Sequence, residues 1–144
     1  MGHEQAATAA IAGPTNRFFE VDGIKVHYLD WGGDPRKRTI VLLHGGAAHA
    51  HWWDYVAPEL TDHGRVLALD FRGHGRSQWS PERHYGPPAY IEDVRGLLDL
   101  LGTRVVLVGH SMGGAVAQWC ALTFPEKIAA LVIVDAPAGP PPLL

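Results

Sequence analysis

Five residues in the middle of the chain, Gly109-His110-Ser111-Met112-Gly113, have the types and spacing of a nucleophile site. An apolar run precedes them and an uncharged, alanine-rich run follows, so the serine stands where a predicted strand gives way to a predicted helix. In so sharp a turn, side chains two residues before and after the serine would collide with neighbouring backbone, and glycine removes both clashes. The pattern therefore predicts that Ser111 projects its hydroxyl above a sheet, where the amides of a helix N-terminus favour developing negative charge.

A serine hydroxyl becomes a strong nucleophile only when a histidine takes its proton and a carboxylate orients that histidine. No histidine follows Ser111 in this sequence. Asp135 ends a later predicted strand on the same side as Ser111 and is the candidate acid, or else it only closes the strand; the sequence leaves both open. Among the nine histidines, His110 is expected to pack locally, whereas His49 and His51 could overhang the crevice as substitute bases.

The elements around these residues predict an α/β fold. Predicted strands cover residues 17–21, 24–31, 39–44, 65–70, 104–110 and 128–135, and predicted helices cover residues 52–60, 90–101 and 113–124. Asp22-Gly23 is a two-residue hairpin signal. We therefore expect a mostly parallel sheet with an antiparallel N-terminal hairpin and helices on both faces. In such sheets, ligands bind beyond the carboxyl ends of the strands.

Three stretches, "TIVLLHGG", "VLALDFRGHGRS" and "LVGHSMGGAVAQWCALTFPEKIAALVIVDAP", resemble the α/β-hydrolase superfamily in its esterase/lipase-type branch. The resemblance implies that Ser111 is the nucleophile and that the amides of Gly46 and Met112 form the oxyanion hole. It implies hydrolysis of a carboxylic ester or related small-molecule acyl substrate, with no metal or organic cofactor. Perhydrolases and C–C bond hydrolases share the motif, whereas the Asp-nucleophile branches, dehalogenases and epoxide hydrolases, are disfavoured by serine at position 111.

The family order is serine, acid, then histidine, and a complete fold of this kind is longer than 144 residues. We therefore expect an incomplete α/β-hydrolase fold, truncated before the histidine. The expected organisation is a flexible N-terminus over residues 1–16, the N-terminal part of a hydrolase domain over 17–137, and a Pro-rich tail over 138–144. The other hypothesis is a catalytically inactive fragment that binds only a ligand or a partner. The apolar last strand predicts self-association or a complementing C-terminal half.

The composition of the chain limits the classes of binding partner that the sequence predicts. A net charge of -3 and a pI near 6.3 give no support for nucleic acid or an anionic membrane as partner. The single cysteine, Cys120, and the lack of a recognisable signal peptide favour a cytoplasmic location. "HAHWWD" does not have the spacing of a metal site. Its Trp52 and Trp53, with Tyr55, are expected either to wall an acyl pocket or to pack in the core, and Asp70 is expected to brace the crevice floor.

Overall fold

Six strands form one sheet in residues 13–137, the part of the chain that the computed structural model describes. The strands are β1 (Thr15–Val21), β2 (Ile24–Asp30), β3 (Thr39–Leu43), β4 (Val66–Leu69), β5 (Val105–His110) and β6 (Ile128–Val134). Their order across the sheet is β1-β2-β4-β3-β5-β6. β1 and β2 are antiparallel, β2 joins β4 antiparallel, and the remaining neighbours are parallel, which confirms the predicted fold class.

The N-terminal hairpin turns at the predicted residues. Asp22 and Gly23 have φ values of 50° and 76°, the left-handed conformations that a type I′ turn requires. β1, however, begins at Thr15, so the expected flexible segment over residues 1–16 is wrong for its last two residues. Thr15 and Asn16 belong to β1 because Thr15 pairs with Asp30 of β2. Their exposed side chains show no hydrophobic period. The rest of that segment, residues 1–12, and the tail at 138–144 lie outside the described residues.

The inner strands β3 and β4 are buried along their whole length because both of their faces are covered. In β3, Val41 and Leu43 join the larger core, whereas Ile40 and Leu42 join a second core on the opposite face. This division follows from the two-residue period of a strand, which sends successive side chains to opposite faces. A continuous apolar run in the sequence is thus the signature of a strand between two layers.

The helical segments lie on both faces, as predicted. α2 (Pro87–Leu101) and α3 (Met112–Thr123) pack on the larger core. A 3-10 turn (Ala50–Trp53) and the short helix α1 (Ala57–Leu60) pack on the second core. α2 begins three residues earlier than its apolar period indicates, because Pro87 and Pro88 stand in the first turn, where a missing backbone N–H breaks no hydrogen bond. Among residues 13–137, every helix is too short or too polar to cross a lipid bilayer.

A buried ion pair joins α2 to the loop after β4. The Arg72 guanidinium donates to Asp93 Oδ1 at 2.8 Å, and the Arg72 backbone N–H donates to Asp93 Oδ2 at 2.9 Å. Both side chains are almost completely buried, and within residues 13–137 the only other carboxylate on Arg72 is that of the exposed Asp22, at 3.2 Å. Removal of Asp93 would leave the buried guanidinium with this weaker partner alone.

We expect Asp93→Ala to lower the free energy of unfolding by about 3–5 kcal/mol, because it leaves the buried Arg72 guanidinium with only the exposed Asp22 carboxylate as a partner. The matched control is Asp99→Ala on the same helix, where the carboxylate is 55% exposed and pairs with Lys127. Asp99→Ala should lower the free energy of unfolding by only about 0–1 kcal/mol. Urea unfolding followed by circular dichroism measures both. Equal losses in the two variants would show that the buried pair adds nothing.

Candidate active site

Four functional candidates follow four strand ends along one edge of the sheet. Asp70 follows β4, His44 follows β3, Ser111 follows β5 and Asp135 follows β6. Because β4, β3, β5 and β6 are successive parallel neighbours, these residues lie at the same, carboxyl edge. This is the edge where open α/β sheets bind ligands.

Ser111 occupies a strained turn between β5 and α3. Its φ of 51° and ψ of -117° fall outside the conformations that a residue with a side chain prefers. The turn brings α3 so close to the strands that a Cβ on Gly109 would overlap the Gly113 carbonyl. A Cβ on Gly113 would overlap the Leu43 carbonyl oxygen. The two glycines predicted from the sequence therefore remove real clashes, and the strain is held by the packing around them.

The turn leaves Ser111 exposed at a cleft of about 320 Å³. Residues of the loop after β3, of the 3-10 turn and of the β5 end line this cleft: Gly45, Gly46, Ala47, Ala48, His49, Trp52, His110 and Ser111. A Cβ on Gly45 would lie 3.4 Å from the Ser111 Cβ, which shows how closely the two strand ends approach. The structure therefore brings Ser111 and Gly46 together in one cleft.

His44 fixes the orientation of the peptide between Gly45 and Gly46. The Phe71 backbone N–H donates to His44 Nε2 at 3.2 Å, so Nδ1 carries the ring proton and donates to the Gly45 carbonyl oxygen at 2.7 Å. In a trans peptide, the carbonyl and the N–H point in opposite directions. Because His44 holds the Gly45 carbonyl towards the interior, the Gly46 N–H of the same peptide is turned away from His44. Within residues 13–137, that N–H donates to no other group.

The second predicted amide belongs to Met112, the first residue of α3. The first N–H groups of a helix have no intrahelical acceptor and carry the positive end of the helix dipole. Gly46 and Met112 are near neighbours, since a Cβ on Gly46 would lie 4.0 Å from Met112 Sδ. The structure thus places both residues beside Ser111, and their role as an oxyanion hole stays a prediction.

Asp135 lies beside this group but outside the cleft. The Ser111 N–H donates to the carbonyl of Val134, the residue before Asp135, at 3.1 Å. The Asp135 carboxylate is exposed and has no hydrogen bond or ion pair within residues 13–137. Its φ of 50° is positive, like the φ of Ser111 and of Ala47. The Asp135 backbone is close to the Ser111 turn, and the role of Asp135 as the acid stays a prediction.

The 3-10 turn brings two aromatic rings into the site. Trp52 stacks on His110 with ring centroids 5.7 Å apart and planes inclined by 17°. The contact arises because alternate β5 residues face the second core, on which the 3-10 turn also packs. Trp52 lines the cleft and is 59% exposed, whereas Trp53 is buried in the core and Tyr55 is 95% exposed. The pocket-wall interpretation therefore holds for Trp52 and is wrong for Trp53 and Tyr55.

Asp70 anchors the start of this 3-10 turn. Its carboxylate accepts the Ala50 N–H at 2.7 Å and the Arg76 N–H at 3.0 Å, and it contacts His27 Nδ1 at 2.6 Å. Burial alone raises the pKa of Asp70, but the hydrogen bonds from His27, Arg76 and Ala50 outweigh it and hold the pKa below its usual value. The ionised carboxylate thus braces the loop behind the cleft, as the sequence predicted.

Other side chains that the sequence analysis considered lie outside the cleft. His51 pairs with Asp54 on the surface, and no three metal-binding side chains come together within residues 13–137. Cys120 is buried, which raises the pKa of its thiol and suppresses its reactivity. The pairing of Arg72 with Asp93 was not predicted, since a helical aspartate gives no sign in the sequence that it is buried.

The model of the family described as alpha/beta hydrolase fold matches residues 38–144. The chain belongs to the α/β-hydrolase family. It is 34% identical over 117 residues to human epoxide hydrolase 4, covering 80% of this chain and 32% of that protein. It is 40% identical over 119 residues to the 2-hydroxy-6-oxo-2,4-heptadienoate hydrolase of Pseudomonas putida, covering 79% and 42%.

Among solved structures, the α/β-hydrolase chain is similar to the thioesterase domain from the curacin biosynthetic pathway. The TM-score is 0.81 at 30% identity, covering 88% of this chain and 47% of that one. The chain thus spans between a third and a half of the length of these relatives. The relatives are named for different reactions. Membership therefore shows that the chain belongs to a hydrolase family but does not identify its substrate.

The strain at Ser111 predicts a stability difference between two variants. Ser111→Gly should be more stable than Ser111→Ala by about 1 kcal/mol, because glycine adopts positive φ without steric cost. The same pair at exposed Leu122 in α3 serves as the control, where glycine should be less stable than alanine by about 1 kcal/mol. Urea unfolding measures all four variants. If Ser111→Ala is as stable as Ser111→Gly, the turn carries no strain.

His44 predicts a pH dependence of stability. Burial lowers the pKa of His44 from 6.5 to about 4 in the folded protein. The unfolded chain therefore binds a proton more readily, and stability falls as the pH drops below 6.5. Protonation of this residue alone should lower the free energy of unfolding by about 3 kcal/mol between pH 7 and pH 4. His44→Asn keeps an amide donor and does not titrate, so its unfolding free energy should fall less steeply. Parallel slopes for wild type and variant would contradict the prediction.

Proposed function

We propose that this chain carries the nucleophile and oxyanion hole of an α/β-hydrolase that cleaves a carboxylic ester or a related acyl substrate. The single observation that supports the proposal most is the strained backbone of Ser111, whose positive φ accompanies an exposed side chain at a cleft. Strain of this kind persists where the surrounding packing enforces it and is concentrated at functional sites. A glycine-rich turn without function would have no need of a serine in that conformation.

In this proposal, Ser111 Oγ attacks the substrate carbonyl carbon, and the carbonyl oxygen becomes an oxyanion. The amides of Gly46 and Met112 donate to that oxygen. Each such donor contributes about 3–4 kcal/mol to transition-state stabilisation in serine hydrolases. The leaving group departs with a proton, and water then hydrolyses the acyl-enzyme. Trp52 and His110 form the wall of the cleft beside the acyl group.

In this proposal, the base that accepts the Ser111 proton is a histidine. No histidine follows Ser111 in this sequence. Within residues 13–137, no histidine ring forms a hydrogen bond with Ser111. Asp135 is proposed as the acid that orients the missing histidine, because its exposed carboxylate follows the residue that accepts the Ser111 N–H. We propose that the 144-residue chain corresponds to the N-terminal part of the enzyme. We also propose a cytoplasmic location, because the sequence contains a single cysteine.

Two alternatives rest on particular observations. The lack of a base on Ser111 within the described residues favours an inactive hydrolase-like protein that only binds a ligand or partner. Within the fold, similarity to a hydrolase that acts on an oxo-dienoate favours C–C bond hydrolysis as the second reaction. Epoxide hydrolysis has less support despite the human relative, because the resemblance places an aspartate at the nucleophile position of that branch and Ser111 stands here.

Labelling with a fluorophosphonate probe, with and without added imidazole, tests the proposal. We expect covalent labelling at Ser111, mapped by mass spectrometry and accelerated roughly tenfold or more by imidazole acting as an external base. Ser111→Ala should abolish the labelling. Thr123→Ala, which removes an exposed hydroxyl on α3, should leave it unchanged. Labelling that persists in Ser111→Ala, or that never occurs with imidazole present, would favour the inactive binding protein.

A further inference from the structure

His110, the last residue of β5, has a buried ring nitrogen without a hydrogen-bond partner. The unpaired atom is Nδ1, and within residues 13–137 the other ring nitrogen, Nε2, has no partner either. A buried polar atom without a partner destabilises the folded protein. Phenylalanine would fill the same space without that penalty, so packing alone does not explain an imidazole ring at this position.

The neighbours of His110 fix the orientation of its ring without any hydrogen bond. Val106 and Val108 of the same strand pack on the second core, and the two-residue period of a strand sends His110 to that face. There the ring stacks on Trp52, with centroids 5.7 Å apart and planes inclined by 17°. The Nδ1 edge lies against Gly45, where a Cβ would approach Nδ1 to 3.1 Å.

The edge of the ring that carries Nε2 is accessible in the cleft. His110 is half-buried and lines the cleft, and of its two nitrogens only Nδ1 is buried and unpaired. A neutral imidazole has one nitrogen that donates and one that accepts. Since a buried N–H without an acceptor is rare in proteins, the environment favours the proton on Nε2. His110 then presents a hydrogen-bond donor to the cleft.

The ring of His110 and the side chain of Ser111 border the same space. The Cβ that would lie 3.1 Å from His110 Nδ1 would also lie 3.4 Å from Ser111 Cβ. Residues 45–48, which line the cleft beside them, have no polar side-chain atom. A group bound next to Ser111 therefore meets an apolar surface on one side and the imidazole of His110 on the other.

We propose that His110 is a substrate-binding residue, which Trp52 positions and whose Nε2 donates a hydrogen bond to an oxygen on the acyl group of the substrate. This inference rests on the proposed function, because it takes the acyl group to lie beside Ser111. The substrate class is an acyl compound with a keto, hydroxy or ether oxygen near the scissile carbonyl. A carboxylate is a poorer match, since within residues 13–137 no lysine or arginine lines the cleft.

Two neutral esters of the same shape test the proposal, each titrated into the isotope-labelled 144-residue chain and followed by NMR. Methyl methoxyacetate has an ether oxygen at the position where methyl butanoate has a methylene group. The wild type should bind methyl methoxyacetate about fivefold more tightly, the ratio that corresponds to one hydrogen bond. Equal affinities for the two esters, or the lack of a saturable shift with either, would overturn the proposal.

Three variants separate the donor from the stacked ring. His110→Phe keeps an aromatic ring against Trp52 but removes the donor, so it should bind the two esters equally. Trp52→Ala keeps the donor but frees the ring, and the preference should fall to about twofold or less. Tyr55→Ala is the control, because it removes a 95% exposed ring outside the cleft, and it should keep the full preference. A folded His110→Phe or Trp52→Ala variant with the wild-type preference would contradict the proposal.

The nitrogen chemical shifts of the His110 ring report which nitrogen carries the proton, and this measurement needs no variant. The proton should be on Nε2, and a proton on Nδ1 would overturn the role of Nε2 as donor. Ester binding does not require Ser111 to react. Failed fluorophosphonate labelling with an intact preference for methyl methoxyacetate would therefore reject the hydrolase alone, whereas labelling without that preference would reject the role of His110 alone.

Discussion

The close approach of the α3 N-terminus to the ends of β3 and β5 is the contact on which the candidate site depends. Backbone packs on backbone there, with no room for a Cβ at Gly109 or Gly113. This contact forces Ser111 into positive φ and keeps it exposed at the cleft. The strain cannot relax locally, because the strand before the turn and the helix after it are both fixed in the larger core. A hydroxyl held in this way can meet a substrate without first losing conformational entropy.

The environment of Ser111 is built from peptide groups rather than from charged side chains. The Gly45–Gly46 peptide is oriented by a neutral, buried His44, and the amide of Met112 is oriented by the helix that it begins. Dipoles held in this way need no reorganisation when charge develops, which is the physical reason for proposing them as an oxyanion hole. Asp70 fixes the loop behind the cleft in a similar way, because its carboxylate accepts the backbone N–H groups of Ala50 and Arg76.

The described chain has one well-packed side and one open side. β1, β2, β4, β3 and β5 each have two neighbours or a guarded edge, and their apolar side chains are covered by helices. β6 has the composition of a central strand and the position of an edge strand. This mismatch between composition and position agrees with the coverage of the relatives, of which the chain spans less than half.

The sequence by itself determined the helices, the strands and the sharp turn at Ser111, because all of them depend on local spacing. Apolar runs give buried strands, and paired glycines around Ser111 give a sharp turn whatever the rest of the chain does. The family and the fold class could be predicted on these grounds. The early start of α2 and of β1 could not, since Pro87 and the polar residues of β1 carry no hydrophobic period.

Only the tertiary structure decided which distant side chains meet. The stacking of Trp52 on His110, the burial of Trp53 and the pairing of Arg72 with Asp93 depend on strand order and on which face each helix covers. These are contacts between residues far apart in the chain, and each depends on the summed packing of many side chains. A pattern in a few neighbouring residues contains no information about that sum, so the Trp52–His110 wall of the cleft and the Arg72–Asp93 pair could be established only from the tertiary structure.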